Sequence, residues 1–526
     1  MSAANSQSLQ DARPIQISDA YAESVRAPLT PSASFAPMAI AAVVAILHLL
    51  TDSRYGFHRD ELQFLSDGRH LAWGYVVYPP LTPFLAHIAF SVFGASLLGF
   101  RLFAILAQFA ATVITGRMAR DLGGHRLAQG AAALAIAVTP ISIHYGTELI
   151  YSSFDYLWWI LTAWFIIRLI RSQNPRWWIA IGAVLGLGLM TKYTIGIFVA
   201  GIVAALVFTP LRIYLRSRWL WMGIALTFLI VSPNIVWQLR HHLISLHWMH
   251  SIHLRDLGMG RDKHFILAQF LICANFFATP LWIAGLVACL RSSRFRPYRP
   301  LVWMYLTPLV LLMLMRARDY YLAPSYPMLL AVGAVVAENW LGDLRPLRQR
   351  ITVGSFFTLV VLYGLLAVVQ VVPVFASGKL RAFTLAHSID LRDEIGWPEL
   401  VQTIATVRDS LPASSQANSA VLVGNYGEAG AVELYGPSYY LPPLITGTNS
   451  GWIRGYPGFQ PSTLIVVGLT RATADGWFPD CRAAAQVTNS LGIANPETDP
   501  VRSTILICGP PRLPWPIFWQ QFHSFG

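Results

Sequence analysis

The chain has 526 residues, 55% of them hydrophobic and only 12% charged, with a formal net charge of +12 and a mean hydropathy of +0.50. Soluble domains carry about 25% charged residues, which excludes an ordinary water-soluble enzyme and points to a protein dissolved in lipid. The positive charge is not a nucleic-acid signature, because the arginines stand in short clusters between apolar runs, the pattern of cytoplasmic membrane loops.

Residues 1–34 are polar and lack the apolar core and small-residue cleavage site of a secretory signal. They read as a cytoplasmic tail, with the first apolar run retained as an anchor. A membrane-crossing helix needs roughly 20 apolar residues. Candidate spans follow at 35–51, 98–116, 127–143, 154–170, 177–190, 194–211, 219–236, 266–290, 301–315, 323–341 and 351–373. The segment 81–97 is also apolar but is bounded by Pro79, Pro80 and Pro83, which makes it a half-buried interfacial helix or a further span. The expectation for 35–373 is about eleven to thirteen helices.

Basic residues set the orientation. Arg117, Arg120 and Arg126 share one loop, Arg168, Arg171 and Arg176 the next, and Arg212, Arg216 and Arg218 a third; Arg291 to Arg299 and Arg345 to Arg350 continue the series. By the positive-inside rule these loops are cytoplasmic. The alternating loops 52–80, 144–153, 237–265 and 316–322 are acidic or mixed and would face outward. After residue 374 the composition turns soluble. Short apolar runs at Ala420–Gly424, Thr463–Leu469 and Thr504–Cys508 read as strands, and Glu399–Ser410 has helical spacing. Residues 374–526 therefore read as a small extracytoplasmic α/β domain, in which Cys481 and Cys508 would pair if the compartment is oxidising.

The first candidates for chemistry are Asp60 and Glu61, an acidic pair in the first outward loop, 52–97. Carboxylates are costly to hold near hydrocarbon, and a partly desolvated one rises in pKa toward a range where it accepts a proton from a hydroxyl. The plainer alternative is a loop pair bridged to Arg54, Arg59 or Arg69. Asp155 opens an apolar helix and is either functional or a first-turn acid at the positive end of the dipole; Glu148 has the same ambiguity. Lys192 is one of three lysines, with Lys263 and Lys379. It either holds a lipid phosphate as a point charge or snorkels to the headgroups. Arg316 and Arg318 are cations on the outward side, against the trend, beside Tyr320 and Tyr321. Arginine forks match phosphate oxygens. His247, His250 and His253 fall on one helical face, which an interfacial amphipathic helix explains more simply than a metal site. No phosphate-binding Gly-rich loop, His-Glu-x-x-His or Cys-x-x-Cys motif is present.

Taken in order, Tyr55-Gly56-Phe57-His58-Arg59-Asp60-Glu61-Leu62, Gly68-Arg69-His70-Leu71-Ala72-Trp73-Gly74-Tyr75, Tyr78-Pro79-Pro80-Leu81-Thr82-Pro83, Phe154-Asp155, Thr191-Lys192, Asp319-Tyr320-Tyr321-Leu322-Ala323-Pro324 and Asn425-Tyr426-Gly427-Glu428-Ala429-Gly430-Ala431 resemble the bacterial polytopic GT-C glycosyltransferases related to protein mannosyltransferases and aminoarabinose transferases. The resemblance implies a mainly α transmembrane fold in the bacterial inner membrane. It implies a polyprenyl-phosphate sugar as donor and inverting transfer, on the outer face, to an acceptor hydroxyl on a glycan, lipid or protein. Asp60 matches the family's first-loop acid, with Glu61 in support. Asp155 matches a second acid near the donor, and Lys192, Arg316, Arg318 and Tyr320 are candidates for the donor phosphate. Two arginines stand where many relatives have one cation, leaving open which one touches phosphate. The scheme calls for no cofactor, metal or nucleic acid. Two other classes compete: a lipid or glycan transporter or flippase, which predicts related halves and charges along the midplane, and a non-catalytic envelope protein that binds glycan.

Overall fold

Without water in the bilayer core, every backbone N–H and C=O must be satisfied within the protein, so long apolar runs fold as helices. The computed structural model describes residues 31–498 and 503–526; residues 1–30 of the expected tail lie outside them. Among the described residues five helical stretches are long and apolar enough to cross a membrane: Leu97–Asp121, Tyr151–Ser172, Arg218–Arg240, Asp319–Gly342 and Pro346–Val371. Three bent pairs raise this to eight if each pair is one span. These are Arg126–Ala137 with Pro140–Thr147, Ile195–Phe208 with Pro210–Arg216, and Phe265–Leu271 with Phe276–Arg291, bent by 65°, 96° and 87°.

The first two bends occur where new helical starts are encoded. Thr139 and Thr209 each cap a following turn with the side-chain oxygen, and Pro140 and Pro210 take the first helical position, where a missing N–H costs nothing. Asn275 caps the turn at the third. The proline-bounded segment forms the helix Leu81–Phe93, which stops at Gly94 with φ +63°. Thirteen residues at 1.5 Å per residue reach about 20 Å, short of the roughly 30 Å hydrocarbon core.

The ends of these helices sort into two poles. At one, Asp121 binds Arg168 at 3.4 Å and Arg171 at 3.3 Å, the Arg176 guanidinium lies 5.4 Å from the Trp219 ring, and Glu338 accepts the N–H groups of His125 and Ala128. The other pole carries the first loop, residues 191–194, 237–262 and 316–321, and the C-terminal domain. That domain is a five-stranded sheet in the order β2-β1-β3-β5-β4, with β1 Ser419–Val423, β2 Leu444–Thr446, β3 Thr463–Val467, β4 Arg482–Gln486 and β5 Thr504–Cys508. β1 runs parallel to β2 and β3, while β5 is antiparallel to β3 and β4. Strand alternation splits the burial. Val421, Val423, Ile465 and Ile507 join the cluster continuous with the membrane body. Ala420, Leu422, Leu464, Val466 and Leu506 face an aromatic cluster containing Trp515 and Phe518. Cys481 and Cys508 form a disulfide.

Candidate functional site

The acidic pair begins the helix Arg59–Arg69. His58, in extended backbone, stands at its start: Glu61 accepts the His58 N–H at 3.0 Å, and the His58 ring Nδ1 lies 3.3 Å from the Asp60 nitrogen. The Glu61 contact satisfies the donor at the helix start, and the acidic pair places negative charge at the positive helix end. The pair then divides. Glu61 is fully buried and binds the fully buried Arg101, at 3.0 Å from Nε and 2.7 Å from Nη2. It also accepts the Leu149 N–H at 3.0 Å. Arg101 reaches Glu394 at 3.0 Å with the same fork. With every acceptor direction occupied, Glu61 acts as an anchor for the loop and is not presented to a substrate.

Asp60 turns the other way. Its Oδ1 accepts the Tyr426 phenol at 2.8 Å and lies 3.8 Å from Arg59 Nε; its side chain keeps 36% exposure. Burial pushes its pKa up, but His58, Arg59, the phenol and Arg318 outweigh that and hold it below the ordinary carboxylate value. His58 sits between Glu148 at 3.4 Å and Asp393 at 3.3 Å. Burial opposes its charge, yet the two carboxylates raise it well above the usual imidazole value. Burial lifts Glu148 to about 7 against the pull of His58.

Lys192 occupies the break between the helices Trp177–Leu189 and Ile195–Phe208. Its Nζ donates to Ser152 Oγ at 2.9 Å. The rings of Tyr321, Tyr151 and Tyr320 surround it at 4.6, 4.7 and 5.5 Å, an arrangement that stabilises a desolvated cation. Asp155 is buried; it accepts from Trp159 at 3.1 Å and Thr194 at 3.0 Å, and its charge acts on Lys192 from behind. Arg318 is held on Asp256, at 3.1 Å from Nη2, and donates from Nη1 to the Tyr320 hydroxyl at 3.1 Å.

A cavity of about 340 Å³ collects these cations: Lys192, Arg316 and Arg318 line it together with Tyr151, Tyr321 and the apolar Trp248 and Leu312. The two arginines differ. Arg316 is 60% exposed and tied to Asp262 at 2.7 Å, whereas Arg318 is 19% exposed. Tyr320 lies behind the wall and Tyr321 in it. Asp60 does not line the cavity; it lies at the same pole, where the Arg318 charge favours its ionised form. His253 lines the cavity, but among the described residues no three His, Cys, Asp or Glu side chains converge as metal ligands.

Several members were not singled out from the sequence: Arg101, Tyr151, Asp256, Asp393 and Glu394. Arg101 carried a readable signal, an arginine inside an apolar span. The others become visible only when segments far apart in the chain meet.

A multi-span helical body with an acidic first loop and a C-terminal α/β domain at the same pole has the GT-C fold. Residues 77–237 match the family model for dolichyl-phosphate-mannose-protein mannosyltransferase. ArnT from Cupriavidus metallidurans in the apo state superposes with a TM-score of 0.56 at 14% identity, over 89% of this chain and 97% of that one. ArnT bound to undecaprenyl phosphate gives 0.48 at 15% identity, over 89% and 97%. A mutant of the arabinofuranosyltransferase AftD from Mycobacteria gives 0.51 at 15% identity, over 91% of this chain and 42% of that one. Comparison with curated protein sequences found no match.

Proposed function

We propose that this chain transfers a sugar from a polyprenyl-phosphate donor to an acceptor hydroxyl, with inversion at the anomeric carbon, at the pole that carries the C-terminal domain. The observation that carries this reading is the cavity in which Lys192 and Arg318 share apolar walls, at the same pole as an ionisable Asp60. A phosphate joined to a hydrocarbon chain has both of the chemistries that such a lining accepts. The donor class named by the matched family model, a dolichyl-phosphate sugar, agrees with it.

The chemistry follows from the geometry. Asp60 Oδ2 has no protein hydrogen-bond partner among the described residues, while Oδ1 is held by Tyr426; the free oxygen takes the proton of the acceptor hydroxyl. The acceptor oxygen forms its bond to the anomeric carbon on the face opposite the phosphate, and the bond between that carbon and the phosphate oxygen breaks. The electron pair leaves with the phosphate, whose charge Lys192 and Arg318 stabilise. Positioning and fixed charge supply most of the acceleration, and the scheme uses no metal or cofactor.

The arginine-rich pole supports placing the opposite pole outside the cytoplasm of a bacterial inner membrane, and the Cys481–Cys508 disulfide agrees with an oxidising compartment there. The test uses the full chain in nanodiscs with a panel of undecaprenyl-phosphate hexoses and pentoses and with lipid, protein and polysaccharide acceptors. Product is expected from at least one pairing, and Asp60→Asn lowers turnover by about 10²-fold or more. Unchanged turnover in a folded Asp60→Asn protein contradicts the assignment of the base.

A further inference from the structure

The C-terminal domain contributes a side chain directly to the first loop. Tyr426 is the first residue of the helix Tyr426–Tyr435, which opens with a capping box: Asn425 accepts from the Glu428 N–H, and Glu428 returns to the Asn425 N–H. This helix comes close to Arg59–Arg69 at two glycines. A Cβ on Gly427 would stand 2.8 Å from Arg59 Cβ, and one on Gly430 2.5 Å from the Leu62 carbonyl oxygen. From the first position of this helix the Tyr426 phenol donates to Asp60 Oδ1 at 2.8 Å. The same domain holds the other neighbour of Asp60. Arg59 is gripped by Asp393 at 3.1 Å and by Glu497.

We infer that Tyr426 is a positioning residue for sugar transfer: its phenol fixes Asp60 so that Oδ2 alone faces the acceptor, which makes the C-terminal domain part of the catalytic unit. This rests on the proposed role of Asp60 as base. A phenol donating to a carboxylate favours the ionised form, as do the other groups that face Asp60: His58 and Arg59 from its own loop and Arg318 from the segment before Asp319. Asp393 and Glu497, behind Arg59, and the Tyr151 hydroxyl on the membrane side add negative or neutral surroundings. Removing the phenol therefore raises the Asp60 pKa and frees its rotation. A helix that merely packed at this place would change neither.

The experiment is a pH titration of the Asp60 carboxyl in the full chain in nanodiscs, read by infrared difference spectroscopy with Asp60→Asn as the blank, in wild type and Tyr426→Phe. The expected result is a titration midpoint displaced to higher pH in Tyr426→Phe. With whichever undecaprenyl-phosphate sugar the wild type turns over, kcat falls about tenfold, KM for the donor stays within about threefold, and the acid limb of the rate profile moves up with the midpoint. If Tyr426→Phe is lost from the membrane, 3,5-difluorotyrosine at 426, a stronger donor of nearly the same size, displaces the midpoint to lower pH. An unmoved midpoint in either variant overturns the inference. If Tyr426→Phe is silent while Asp60→Asn is inactive, Tyr426 alone is misassigned; if both are silent, the reading of Asp60 has failed first.

Discussion

Glu61→Gln separates the two members of the acidic pair. In the structure the Glu61 carboxylate has no exposure and receives Arg101 twice and the N–H groups of His58 and Leu149. Glutamine preserves the shape but removes the charge and turns an N–H₂ toward groups that are all donors. Breaking a buried ion pair from one side costs about 3–5 kcal/mol. Arg101 keeps Glu394 at 3.0 Å, so the loss falls near the lower end, about 3 kcal/mol, or roughly 10² in the folded-to-unfolded ratio. The assay is unfolding in nanodiscs alongside turnover per folded molecule, with a double-mutant cycle of Glu61→Leu and Arg101→Leu, whose coupling should exceed about 1 kcal/mol. Stability falls and turnover per folded molecule stays within a few-fold. A Glu61→Gln protein of wild-type stability with turnover reduced 10²-fold would refute this reasoning and move the base from Asp60 to Glu61.

Lys192→Met removes the cation at the floor of the cavity while keeping its length; kcat/KM should fall about 10²-fold, and Lys192→Arg should recover only part of it because the tyrosine cage is shaped for an ammonium. Stability should also depend on pH. Burial, opposed by Arg101, raises Glu394 to about 8, and burial raises Glu148 to about 7. A carboxyl with a raised folded pKa binds its proton more tightly when folded, so its contribution is present below the unfolded value near 4.3 and is lost as pH rises through 7 to 8. His58, raised as well, changes in the same direction. Thermal unfolding should therefore be later at pH 5 than at pH 8, and Glu394→Gln should flatten that slope; a steeper slope would contradict the sign.

The helical class, the break at the prolines and the positions of β1, β3 and β5 could be read from hydrophobic period alone, because long apolar runs have one solution in lipid and short β-branched runs one in a small domain. The expected helix at 399–410 corresponds to Trp397–Asp409. β2 and β4 were not legible: Leu444–Thr446 has three residues, and Arg482–Gln486 is an edge strand rich in alanine, exposed along most of its length. The cations Lys192, Arg316 and Arg318 were legible because charge in apolar surroundings is rare. What each acid does was not, since Asp60 and Glu61 are adjacent in the chain yet face opposite partners. Those partners, Tyr426 for one and Arg101 with Glu394 for the other, come from segments far away in the chain. The Asn425–Ala431 block turns out to be both a strand-to-helix junction and the source of the phenol on Asp60.

The most direct measurement is a cryo-EM reconstruction of the full chain in nanodiscs with undecaprenyl phosphate. The account predicts lipid density in the cavity, with its phosphate within about 3 Å of Lys192 and Arg318 and on the side facing Asp60. A phosphate bound instead at the arginine-rich pole, or a lipid chain that fills the cavity with its headgroup away from both cations, would contradict it.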